Sequence, residues 1–336
     1  MAGKSGRTIA NVPEKSWKKT VLSWEGMLIV LFILVNIFCA GISDSYQVSN
    51  VLREMPKYLT EVFLMLAMGY ILILGEIDIS VGAIVCLSAT MTCMVCNKEL
   101  PFIVVVLVSL LVGTACGFIN GLILTRFTEL PPMIVTLATQ IIFRGIAEIA
   151  LGSGGSISLT NTDGFRMIAG KVGMIPYILF VVIVFAVIFV LVLSKTTFGR
   201  SVYAIGSNSL AAYYSGIHVQ KIRLIIYTAM GFMAGLAALF LTSVLYGANT
   251  TTGNGFELDA IAMAVFGGIS TAGGKGKLQG GIISAFIIIC LRIGLGQINM
   301  NPQVILVILG ALLVLAVLLP NIVGELKLKK KTVAAK

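Results

Sequence analysis

Charge is what this 336-residue chain has least of: Asp, Glu, Lys and Arg make up 11% of it, and histidine occurs once, at His218. A lone histidine with no partners at ligand spacing gives no zinc constellation, so no metal site is expected. There is no Gly-x-Ser-x-Gly elbow and no paired-aspartate motif, which removes the usual local signatures of a membrane-bound hydrolase. Polar surface is scarce as well. Hydrophobic residues are 58% of the chain and the mean hydropathy is +1.02. Most of the mass therefore belongs in lipid, where backbone groups must pair internally, and helical spans follow. The six cysteines (Cys39, Cys86, Cys93, Cys96, Cys116 and Cys290) all fall inside apolar runs. Even Cys93-x-x-Cys96 reads as small core residues on a lipid-embedded helix, and no disulfide is expected.

The net charge of +10 does not point to nucleic acid once its placement is considered. With a cytoplasmic N-terminus and about ten alternating helices, only Arg53, Lys57, Lys98, Arg166 and Lys171 fall outside. Nearly all other Lys and Arg residues collect inside, which is the asymmetry that orients membrane proteins. Gly273-Gly274-Lys275-Gly276-Lys277 is no phosphate loop: Ile269 stands where its first glycine is needed, and Gly276 rather than Ser or Thr follows Lys275.

What the chain has in abundance is apolar length. A cytoplasmic tail over 1–21 precedes a transmembrane domain over 22–323, and a basic cytoplasmic tail closes the chain over 324–336. The expected fold is an all-α integral membrane protein with both termini cytoplasmic. From Tyr58 to Cys96 the sequence is apolar over a length that, as one helix, would measure roughly 60 Å against a ~30 Å hydrocarbon core. It must break, and Gly75-Glu-Ile-Asp-Ile-Ser-Val-Gly82 is where it can. Gly75 frees the backbone, and Asp78 or Ser80 can cap the next helix. Two readings stand: a cytoplasmic turn, or a broken helix that lines a transport pathway or gate.

Gly113, Gly117 and Gly121 recur every four residues, a ridge on which another helix can pack closely. Asn120 beside it suits an interhelix hydrogen bond or a pathway polar group. After Pro131-Pro132, a fifth span carries Gln140, Arg144 and Glu148. The last two are i,i+4 and share a face, as an internal pair or a functional one. Glu148 is the one deep acid expected. Residues 151–173 and 247–256 read as outer loops.

The longest polar interruption in the middle of the chain is 195–223. Asn208 or Ser209 can cap a short helix over 210–215, and Gly216 can supply its left-handed C′ position. Ala211, Ala212 and Ser215 then form one face of small side chains into which a partner protein can pack.

Phe-Gly-Arg-Ser-Val-Tyr-Ala-Ile-Gly at 198–206, followed by Leu-Ala-Ala-Tyr-Tyr-Ser-Gly at 210–216, resembles the coupling loop of ABC-importer permeases. The resemblance is to the ribose/rhamnose/galactose branch, with Leu210 where that family often has Glu. Gly75–Gly82 resembles the family's Gly-Gly-Ile-Asp-Leu-Ser-Val-Gly, with Glu76 in place of a common Gly, a feature associated with a rhamnose-like sub-branch. Pro-Pro-Met-Ile-Val-Thr-Leu-Ala-Thr-Gln, Glu257-Leu-Asp259 and Gly267-Gly-Ile-Ser270 extend the likeness over about 60–320.

The resemblance implies a type II ABC-importer-like permease in a bacterial inner membrane. It implies no enzyme activity or cofactor of its own, since ATP and Mg would be used by a partner ATPase. That ATPase would dock through Gly199, Arg200, Leu210, Ala211, Ala212, Ser215 and Gly216. Further implied partners are a second permease copy or paralogue, a periplasmic or lipid-anchored sugar-binding protein, and a monosaccharide. Asp78, Ser80, Asn120, Gln140 and Arg144 are the candidates for the pathway or gate. The competing class is an ion-coupled secondary transporter of a small polar solute, which needs deep acids or broken-helix cation sites.

Overall fold

The computed structural model describes residues 23–301, 303–308, 310, 311 and 314. Both terminal tails, and most of residues 302–323, lie outside the described residues.

Helix α1 (Trp24–Ile42) begins at Ser23, whose hydroxyl accepts the Gly26 amide. A short α2 (Val48–Glu54) leads into α3 (Pro56–Ile73), which carries a proline in its first turn, where no amide is needed. Every residue of α3 from Leu59 onward is buried, as is nearly all of α4 (Val81–Cys96). These two helices are the centre of the bundle. Around them run α5 (Phe102–Arg126), α6 (Pro132–Leu151), α8 (Tyr177–Lys195), α11 (Val219–Leu245) and α13 (Leu278–Gln297). Seven helices among the described residues (α1, α3, α5, α6, α8, α11 and α13) are long and apolar enough to span a bilayer. Large apolar side chains such as Ile37, Ile141, Ile149 and Val184 stand exposed on the outer helices, as expected where the neighbour is lipid or another membrane subunit.

The glycine ridge of α5 meets a second one on α11. A Cβ built on Gly117 would lie 2.7 Å from the Gly231 Cα, and one on Gly113 would lie 2.7 Å from the Gly235 Cα. The two backbones therefore touch, and Ser109 adds a 2.8 Å hydrogen bond to the Gly235 carbonyl.

The 58–96 run breaks where expected. Helix α3 ends at Ile73, Gly75 adopts φ +81°, and α4 starts at Val81. The stretch expected as an outer loop over 151–173 holds β1 (Ser156–Ser158), α7 (Asp163–Ile168) and a small β2–β3 hairpin (Lys171–Val172, Ile175–Pro176). Strand β1 pairs antiparallel with β4 (Gly247–Asn249), setting Ile157 opposite Ala248.

The expected outer loop over 247–256 is packed differently. The Cys86 thiol donates to the Asn249 carbonyl, and a Cβ on Gly253 would stand 2.6 Å from the Gly82 carbonyl. The segment therefore lies along α4 as far as that helix's first turn. Helix α12 (Phe256–Phe266) starts from there and has only 11 residues, about 16 Å of helix. It is a half-helix entered through a second break, and the glycines at 82 and 253 make the close approach sterically feasible.

Candidate functional site

Three groups of side chains gather around the two breaks. In the first, Asp78 and Ser80 are fully buried inside the bundle. Ser80 is the N-cap residue of α4 but makes no side-chain cap of its own. Instead the Asp78 Oδ1 accepts from the Ser80 amide at 2.8 Å and from its hydroxyl at 2.7 Å. Asn120 of α5 donates to the Ser80 hydroxyl at 2.8 Å. Thr136 of α6 accepts the Ile79 amide at 3.2 Å. The structure thus brings Asp78, Ser80 and Asn120 together in one chain of hydrogen bonds. The Asp78 Oδ2 and the Asn120 Oδ1 remain buried without partners.

In the second group, Arg144 does not pair with Glu148, which is exposed. The Arg144 Nη1 donates to the carbonyls of Thr250 (2.8 Å) and Thr252 (3.1 Å), clamping the second break. Arg144 Nη2 and the Glu257 Oε2 are both buried and unpartnered. Gln140 stands apart, half-buried one turn before Arg144.

The third group was not anticipated. Glu76, Glu61 and Arg292 are buried, so Glu148 is not the deep acid; Glu61, Glu76, Asp78 and Glu257 are. Arg223 Nη2 meets the Glu76 Oε1 at 2.6 Å, and the Tyr227 hydroxyl donates to the Glu76 Oε2 at 2.9 Å. Arg292 on α13 donates from Nη1 to both Glu61 oxygens (3.0 and 2.9 Å) and from Nη2 to Asp259. Its guanidinium lies 5.8 Å from the centre of the Tyr58 ring. The available signal was an arginine and a glutamate inside apolar runs, where an unpaired charge is costly. Their partners are too distant in sequence for spacing to reveal.

Residues 195–223 form an arm of two helices. Thr196 caps α9 (Thr197–Ser207) by accepting the Gly199 amide, and Asn208 caps α10 (Ser209–Tyr214) by accepting the Ala211 amide. Gly216, at φ +82°, ends α10 as expected. The face expected to be free is only partly so: Ala212 is buried against its own chain, while Leu210, Tyr213 and Tyr214 are 65%, 58% and 80% exposed. Helical periodicity groups residues into faces without saying which face turns inward. Ala211, Ser215 and Arg200 are exposed, whereas Gly199 is buried against the backbone of Leu193. Tyr203 of α9 donates to the Gly276 carbonyl at 2.7 Å; burial raises its phenol pKa, so it stays a neutral donor.

Residues 58–317 match the family described as the permease component of branched-chain amino acid transport systems. Curated relatives align over nearly their whole lengths. The ribose import permease protein RbsC of Haemophilus influenzae is 34% identical over 305 residues, 89% of this chain and 94% of the relative. The D-allose transport system permease protein AlsC of Escherichia coli is 32% identical over 329 residues, 96% of this chain and all of the relative. The autoinducer 2 import system permease protein LsrD of Photorhabdus temperata is 29% identical over 303 residues, 88% and 90% of the two chains. No solved structure matches.

Proposed function

Because the chain belongs to the family of transport-system permease components, we propose that it is the membrane subunit of an ATP-driven importer of a monosaccharide. The family description names branched-chain amino acids, but the curated relatives that cover the chain end to end carry ribose and allose in their names. That end-to-end likeness favours a sugar.

The observation that carries the reading is the two-faced arm. Its free side presents Leu210, Tyr213 and Tyr214. Its inner side reaches the first break and the turn between α12 and α13: the Gly206 backbone rests on Ile73, the last residue of α3, and Tyr203 holds Gly276. An apolar, aromatic face at the edge of a membrane protein suits docking of a cytoplasmic ATPase. That ATPase would bind and hydrolyse ATP with Mg, while this chain contributes no nucleotide site. Binding and release of ATP would shift the arm and, through it, the first break, so that the pathway opens alternately to the two sides. Asp78, Ser80, Asn120, Gln140 and Arg144, joined now by Glu257, are proposed to line it. The unpartnered oxygens of Asp78, Asn120 and Glu257 and the unpartnered Nη2 of Arg144 suit sugar hydroxyls, which both donate and accept. A second permease copy or paralogue would complete the pathway, and a periplasmic or lipid-anchored binding protein would deliver the sugar.

The buried acids keep an ion-coupled transporter as the competing reading. The test is uptake of labelled D-ribose, D-allose and L-leucine into cells expressing the chain with its ATPase and binding protein. Sugar uptake that requires ATP and survives collapse of the proton gradient is expected. Preferential leucine uptake would overturn the substrate class, and loss of uptake with the gradient while ATP is maintained would overturn the energy source. Tyr214→Asp should abolish ATPase co-purification at unchanged permease abundance.

A further inference from the structure

We infer that Glu76 is a positioning residue: it makes the coupling arm and the α3–α4 break move as one piece. The inference rests on the functional reading above, and its grounds are geometric. Arg223 and Tyr227 occupy the second and third turns of α11, one turn apart, and both hold the Glu76 carboxylate, one oxygen each. The other end of the Arg223 guanidinium donates to the Leu124 carbonyl in the last turn of α5 at 3.3 Å. Three elements converge on one acid.

The arm is joined to that acid almost rigidly. Helix α10 leads into α11 through only four residues, 215–218. Within them the Ile217 amide donates back to the Ala212 carbonyl, and the Ala212 side chain is buried. A displacement of α10 is therefore delivered to the start of α11, with Arg223 in its second turn. On the far side of the break, Asp78 and Ser80 are tied to Asn120, and Ile79 to Thr136. The two acids of the break thus have separate partners: Glu76 binds the arm's helix, and Asp78 holds the pathway side.

The pair is cheaper to move than to break. Glu76 is 7% exposed and Arg223 18%, so separating them strands charge in a medium that solvates it poorly. A link that does not dissociate during the cycle transmits displacement in both directions.

The test uses the complete importer, permease with ATPase and binding protein, reconstituted in proteoliposomes, and reads sugar taken up per ATP hydrolysed. That ratio is insensitive to how much protein folds. Glu76→Gln keeps size but removes the charge and one of the two oxygens that accept from Arg223 and Tyr227, and is expected to hydrolyse ATP while the ratio falls about 5- to 150-fold, the range typical of coupling between two sites. Glu76→Met and Arg223→Met alone should lower both the ratio and the melting temperature. Together they remove both charges, so thermal stability should return while the ratio stays low. A purely structural pair predicts the reverse for the double variant, with the ratio returning alongside stability, and that result overturns the inference. So does an unchanged ratio in Glu76→Gln within a wild-type system that transports. A wild-type chain that recruits no ATPase instead overturns the functional reading, and the inference with it.

Discussion

The two breaks are built from nearly the same tripeptide and stabilised in opposite ways. Glu76-Ile77-Asp78 stands before α4, and Glu257-Leu258-Asp259 opens α12. Each lies at the mouth of a short helix, and in each an arginine pairs with one acid of the tripeptide. In the first break Arg223 takes the leading acid, Glu76, and a tyrosine completes the shell. In the second, Arg292 takes the trailing acid, Asp259, and adds Glu61 from α3, so one cation serves two carboxylates. The first arginine belongs to the helix that continues the arm. The second belongs to α13, remote from the arm, and bolts α12 to the centre of the bundle. One arrangement ties the arm's helix to the core, and the other fixes the core to itself.

The sharpest way to break this contrast is to remove each arginine. Arg292→Met leaves Glu61, 4% exposed, and Asp259 without their cation. It should cost about 3–5 kcal/mol, read as a large loss of folded protein recovered in detergent. Arg223→Met should cost less, roughly 1–3 kcal/mol, because its side chain reaches some solvent and Glu76 keeps the Tyr227 hydroxyl. If the two lost equal amounts of folded protein, the distinction between bolt and link would fail.

Asp78→Ala and Asp78→Asn separate the second acid's two duties. Alanine removes the acceptor for the Ser80 amide and hydroxyl and should cost about 1–3 kcal/mol. Asparagine keeps that acceptor; stability near wild type with reduced uptake is expected if Asp78 faces the pathway, and full uptake would remove it from that role. Tyr227→Phe is the mildest change. It should cost about 0.5–1.5 kcal/mol in thermal unfolding and leave the Arg223 pair in place.

Much of this architecture was legible in the chain because it rests on local rules. The length of the 58–96 run demanded a break, and Gly75 marked it. The spacing of Gly113, Gly117 and Gly121 announced a close helix contact, and α11 supplies it. Asn208 and Gly216 bounded the arm's second helix by their own cap chemistry. What could not be read is long-range and depends on orientation. Nothing near Arg292 in sequence identifies Glu61, 231 residues away, as its partner. A polar segment such as 247–256 looks like a solvated loop until Gly82 and Gly253 are seen to admit it beside α4. Ala212 belongs to a small-residue face, but only the fold decides that it turns inward.

The backbone contact between α5 and α11 also bears on how the protein is made. Ser109 and the Gly235 carbonyl that it binds are 126 residues apart. At a synthesis rate of about 5–20 residues per second, α5 enters the bilayer roughly 6–25 s before its partner exists. During that interval its glycine groove faces lipid tails or a chaperoning helix, and the Ser109 hydroxyl lacks its final acceptor. Biogenesis therefore passes through a stage in which this glycine seam is open, and substitutions along the ridge should show up first as degradation of the nascent chain.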